Sequence, residues 1–162
     1  MIKFMLGIGI VCLCTCFGYL LASSYRNRKH FYRQLSDFNE RFLNEIAYYK
    51  RPLAQFISKY RYTGYFQEIL QVFLSQLSNP TMQIGIDFKQ LQFLKKEESD
   101  FLGDYFQMLG KGDSSSQKSY FNAMKDEIKK RYTAAESEYK KYGDLYIKLG
   151  FLCGLFLLVL II

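Results

Sequence analysis

From Asp113 to Ile162 the chain carries one helical apolar period that no small domain can bury along its whole length. Phe121, Met124, Ile128, Tyr132, Ala135, Tyr139, Tyr142 and Tyr146 follow at steps of three and four, the spacing of one helix face. No proline interrupts the stretch, and at about 1.5 Å per residue it would extend for roughly 75 Å. Ser114 and Gln117 have the spacing of a capping box, and Asp113 adds negative charge at the positive end of the helix dipole. The far end, Leu149–Ile162, is apolar throughout. Counted from Leu145, with Lys148 reaching back to the interface, it is long enough to enter a membrane.

The N-terminus repeats the theme. Phe4 to Ala22 holds no charge, which meets the length of about 20 residues a membrane helix needs. Ala22-Ser23-Ser24 offers a weak cleavage-like site. The length of the run and the basic helix after it favour a retained membrane helix over a cleaved signal. Arg26, Arg28, Lys29 and Arg33 crowd its exit, while Lys140, Lys141 and Lys148 precede the second apolar block. All fifteen acids lie between Asp37 and Asp144. By the positive-inside rule the middle is expected in the cytosol and both termini outside. The net charge of +7 then reads as a surface beside anionic lipid rather than as a nucleic-acid footprint.

Between the ends the pattern stays helical. Leu35, Phe38, Phe42, Ile46, Tyr49, Leu53, Phe56 and Tyr60 continue the first helix. Pro52 predicts a kink or restart near Arg51. Thr63-Gly64 is expected to close that element. A shorter helix follows with Phe66, Ile69, Leu70, Phe73, Leu74 and Leu77 inward, and Asn79-Pro80 stops it. Ile84, Phe88, Leu91 and Leu94 fit another helix that Gly85 weakens. Lys95 to Leu109 fits a further one, with Gly110 as its C-terminal cap. The expected fold is all-α: an antiparallel cytosolic helical bundle (24–145) between N- and C-terminal transmembrane helices (1–23 and 146–162).

Chemistry-bearing motifs are sparse. His30 is the single histidine, and no Walker loop, dinucleotide fingerprint, HExxH or GxSxG is present. Cys12, Cys14, Cys16 and Cys153 all lie in apolar segments, a placement that implies neither a disulfide framework nor a zinc site. No enzyme activity, cofactor or metal is therefore expected. Tyr60-Arg61-Tyr62 with Tyr65-Phe66 mixes aromatic and basic residues, but no nucleic-acid-binding module surrounds it. Gly150 and Gly154 form a GxxxG face, and Cys14, Gly18 and Ala22 form a second small-residue face. Such faces let helix backbones approach, either within one molecule or in a homo-oligomer. Glu45 stands out as a charge that either meets a basic partner or pairs locally.

Taken in order, Glu45-Ile46, Pro52-Leu53, Leu109-Gly110 with Asp113 and Gln117, and Leu149-Gly150 with Gly154 resemble the stage III sporulation protein AB family of endospore-forming bacteria. That family is in turn similar to the inner-membrane platform protein of type II secretion and type IV pilus machines. The resemblance implies a structural part of the channel complex linking mother cell and forespore, placed in the mother-cell membrane around the forespore. Its cytosolic domain would face a secretion-type ATPase and other stage III sporulation channel proteins. The residues themselves leave room for a helical membrane signalling protein. A holin-like pore former fits less well, because its membrane helices should carry polar faces.

Overall fold

The computed structural model describes residues 2–49, 51–78, 86, 88 and 91–161. Six α-helices and two π-helical turns make up most of them, and no strand occurs among the described residues. They are α1 (Ile2–Asn44), a π turn (Glu45–Tyr49), α2 (Leu53–Lys59), α3 (Gly64–Leu77), α4 (Lys96–Met108), α5 (Ser114–Glu138), a second π turn (Tyr139–Gly143) and α6 (Asp144–Ile161). The chain divides into two compact units, 1–29 with 133–162, and 30–132.

In the first unit two helical segments run antiparallel, as the falling partner numbers show. Gly7 meets Leu158, Cys14 and Val11 meet Gly154, and Gly18 meets Tyr146 and Gly150. Further along, Tyr25 stacks on Tyr146 and tilts against Tyr142, with ring centroids 5.9 and 5.6 Å apart. Arg28 then pairs with Glu138, and Lys29 with Glu136 at 3.4 Å. Among the described residues, two helices are long and apolar enough to cross a membrane. Only 17% and 11% of their most apolar windows are buried, whereas a soluble core helix would be mostly covered. Leu13, Phe17, Leu20, Phe156 and Val159 are all exposed. Long, outward-facing apolar helices fit a membrane protein.

The second unit is a helical core dominated by aromatic rings. Phe38 touches Phe42, Phe56, Tyr62 and Phe66, while Phe121 is held edge-on by Phe42 and Tyr105. Edge-on and tilted pairs suit the quadrupole of the rings. A buried polar residue ties three of the helices together. Asn39 is buried, donates its amide to the Phe121 carbonyl at 3.1 Å and accepts from the Tyr105 hydroxyl at 2.9 Å. This links α1, α4 and α5 through one side chain. Burial pushes the Tyr105 hydroxyl well above its ordinary 10.0, so it stays a donor. Gln34 does a similar task for the connection into α3. It donates to the Thr63 carbonyl at 2.8 Å and accepts from the Thr63 N–H at 2.7 Å.

Three local expectations are corrected. Thr63-Gly64 does not close the element around Pro52. α2 ends at Lys59, Thr63 is the N-cap of α3, and Gly64 begins that helix with a φ of 60°. Tyr49 does not continue the inner face of α1; it is 60% exposed. The π turn is the cause, because its wider i→i+5 bonding accommodates an extra residue and shifts the helical phase. Thirdly, Ser114 does not cap α5: the Asp113 side chain does, accepting from Ser115 N–H at 3.1 Å and from the Ser116 hydroxyl. The acid one residue earlier reaches the first free amides, leaving Gln117 to donate to the Lys111 carbonyl at 3.0 Å. Asn79, Pro80, Ile84 and Gly85 lie outside the described residues. In that region Leu91 and Leu94 instead close tight turns on Phe88 and Leu91. A restart does occur at Pro52, whose φ of −54° and ψ of 139° precede α2.

The Asn39 link carries a measurable consequence. Asn39→Leu and Tyr105→Phe should each lower unfolding stability by about 1–3 kcal/mol, the usual cost of stranding a buried partner. The double variant should lose less than the sum, because it strands neither side chain on the other's account. Chemical unfolding of the detergent-solubilised chain, followed by near-ultraviolet circular dichroism of the tyrosines, measures this. Additive losses would show that the two groups do not act together.

Candidate functional site

Within the 30–132 unit, several residues singled out from the sequence converge on one cavity of about 240 Å³. Glu45 and Ile46 come from the π turn, Leu53 from the start of α2, Gly110 from the turn after α4, and Gln117 from the first turns of α5. Phe42, Arg51 and Ser114 complete the lining. Pro52 and Asp113 do not line it. Pro52 sets the direction of α2, with its carbonyl accepting from Phe56 N–H at 3.1 Å. Asp113 fixes the start of α5. Its exposed carboxyl is held below the ordinary 3.8, first by the Ser116 hydroxyl.

Each wall has a local cause. Gly110 adopts a φ of 78°, a left-handed conformation that a glycine takes without a Cβ clash. A Cβ at that position would also come within 3.0 Å of Leu53 Cδ2. The turn therefore closes tightly against α2. Glu45 lies seven residues after Phe38 and three after Phe42, so it shares their buried face despite its charge. Glu45 is only 3% exposed, while Tyr48 and Tyr49 are 79% and 60% exposed. An acid is inside and two aromatic rings are outside.

The electrostatics of Glu45 are unusual for a carboxylate so deeply covered. Its Oε1 accepts no hydrogen bond, and Arg51 Nε lies 3.5 Å from it. A charged N–H···O bond is normally about 2.7–2.9 Å. The Arg51 guanidinium is meanwhile stacked over Tyr49, 4.7 Å from the ring centre. On the other flank of the π turn a hollow of about 430 Å³ is lined by residues including Asn44, Tyr48, Lys118 and Lys125. Lys125 is also 3.4 Å from Glu40. Charged and aromatic groups thus surround the turn on both sides. No group of three metal-binding side chains occurs among the described residues.

Gly150 and Gly154 belong to the other unit and have a different role. A Cβ on Gly150 would come 2.6 Å from the Cys14 carbonyl oxygen and 3.1 Å from Gly18 Cα. On Gly154 it would meet Val11 Cα at 2.8 Å. The two small-residue faces read from the sequence therefore meet within one molecule, backbone against backbone, as small-residue packing in membranes requires. Ala22 on the same face is buried. Arg51, Tyr48 and Ser114 were not singled out from the sequence as site residues. Their hints were local: Arg51 precedes Pro52, Tyr48 lies three residues after Glu45, and Ser114 stood only as a capping residue.

These features define a class first: an all-helical protein with two membrane-length apolar helices and a cavity-bearing helical unit encoded between them. Within that class the profile of stage III sporulation protein AB matches residues 3–162, and the chain belongs to that family of sporulation proteins. No curated protein and no solved structure matches it.

The glycine contacts predict an asymmetry. Gly150→Leu should destabilise the helix pair by about 1–3 kcal/mol or more, the scale of overpacking a close contact. Gly9→Leu should be near neutral, since nothing lies within 4 Å of its added Cβ. Thermal unfolding of both variants in the same detergent separates them. Equal midpoints would remove the packing role from Gly150.

Proposed function

We propose that the chain is a structural, non-catalytic part of the channel complex between mother cell and forespore. Its terminal helices anchor it in the mother-cell membrane. Its 30–132 unit stands in the cytosol as an assembly platform for a secretion-type ATPase and other stage III sporulation channel proteins. The family supports the sporulation setting. The basic cluster Arg26, Arg28, Lys29 and Arg33 supports a cytosolic middle, because such clusters favour the cytosolic side of a membrane helix.

The observation that carries the platform reading is the surface around the first π turn. Two tyrosines, each more than half exposed, stand beside a cavity with a buried acid and a stacked arginine. Tyrosine and arginine are the residue types that most often dominate protein interfaces. Holding them on a helix end costs little entropy on binding, since the π turn already fixes the backbone. Glu45 with Arg51 is an ion pair of a kind suited to recognition.

The test is an affinity pull-down from detergent-solubilised cells at the stage of forespore engulfment. The unaltered chain should recover the secretion-type ATPase. A Tyr48→Ala/Tyr49→Ala variant should recover about tenfold less or lower, the scale of removing an interface hot spot, with its helix content unchanged. If the ATPase is expressed yet never recovered, and soluble regulators come down instead, the platform reading is wrong.

A further inference from the structure

We propose that the cavity at the junction of α1 and α2 binds the guanidinium of an arginine presented by a protein partner, with Glu45 as its counter-ion. The inference rests on the platform reading for its biological setting and names the chemistry that the partner brings.

Glu45 makes the case. A carboxylate whose side chain is only 4% exposed normally accepts several hydrogen bonds, because burying an unsatisfied charged oxygen is costly. Here Oε1 accepts none. Arg51 offers it charge without a hydrogen bond, at 3.5 Å, and is held away by its stack on Tyr49. The arrangement is an acid aimed into a cavity with its best partner site only half satisfied. The cavity volume of about 240 Å³ far exceeds what one water requires.

The walls select among cations. Phe42, Ile46 and Leu53 are apolar and would cover the faces of a flat, weakly hydrated group. Gln117 adds an amide at one side. Guanidinium is planar, is less strongly hydrated than ammonium and offers two parallel N–H bonds to a carboxylate. Ammonium would give up more hydration to enter the same walls. A metal ion would find a single carboxylate, and no group of three ligands exists among the described residues. An anion would meet the charge of Glu45 directly. Arg51 then acts as a resident competitor: from its stack on Tyr49 it lends Glu45 charge at 3.5 Å, and the incoming guanidinium takes the hydrogen-bonding position that it leaves open.

This assigns opposite signs to two neighbouring substitutions, which a purely structural role does not. The experiment uses the full chain in lipid nanodiscs, with the methyl groups of Ile46 and Leu53 observed by NMR. The probe is acetyl-arginine amide, and the control is acetyl-citrulline amide, the same shape without the charge. The arginine probe should give saturable shifts at both methyls, with citrulline about tenfold weaker or worse, as expected for loss of a charged hydrogen bond. Glu45→Gln should weaken the arginine probe by a similar factor. Arg51→Gln should tighten it about two- to fivefold, the scale of releasing a partly exposed ion pair. Equal responses to arginine and citrulline, or weaker binding in Arg51→Gln, overturn the proposal. If the probe binds as described but Glu45→Gln leaves recovery of the ATPase from cells unchanged, the cavity chemistry stands and the platform reading fails at this face.

Discussion

One buried amide sets the register of the 30–132 unit. Asn39 bonds to the backbone of α5 and to the Tyr105 hydroxyl of α4, so three helices share a fixed point in a largely aromatic core. Hydrophobic contact alone is non-directional and tolerates sliding; a satisfied polar group does not, because any shift strands it. With Asn39 opposite Phe121, Phe42 one turn later meets the edge of the same ring. One turn beyond that, Glu45 arrives at the cavity that Gln117 also lines. The site inherits its geometry from the core beneath it.

The π turn then decides which side chains face which way. A regular helix through Glu45–Tyr49 would keep Tyr49 in phase with Phe42. The wider turn instead takes Tyr49 outward beside Tyr48, while Glu45, seven residues after Phe38, stays on the buried face. Such turns carry a cost in helix geometry and are found often at functional sites. Pro52 follows directly and forces the restart of α2, so the chain cannot relax by extending α1. The two features together hold an acid inside and two aromatic rings outside at the same corner.

Much of this was legible in the residues. The apolar ends, the helical period and the break at Pro52 follow from composition and spacing, because helices with one apolar face announce themselves. The small-residue faces at Gly18 and Gly150 were visible too, although spacing alone left open whether they pair within one chain or between two. The phase shift at Glu45 was not legible. Counting at 3.6 residues per turn assumes regular bonding, and a π turn leaves no residue-type signature to break that assumption. The cap of α5 was misplaced by one residue for a related reason: Asp113 and Ser114 are both good capping residues, and only the backbone path chooses between them. The convergence of Glu45, Leu53, Gly110 and Gln117 required the fold, since those positions are spread over a π turn, two α-helices and the turn after α4.

In the proposed platform role, the corner around Tyr48 is the face that would meet a secretion-type ATPase during engulfment. A photo-crosslinking amino acid at position 48, activated in sporulating cells, tests that contact directly. The same crosslinker at Lys96, an exposed position at the start of α4, serves as the comparison. The account predicts an adduct containing the ATPase from position 48 and none from position 96. Adducts of equal yield from both positions, or none from position 48 while the ATPase is present, would contradict it.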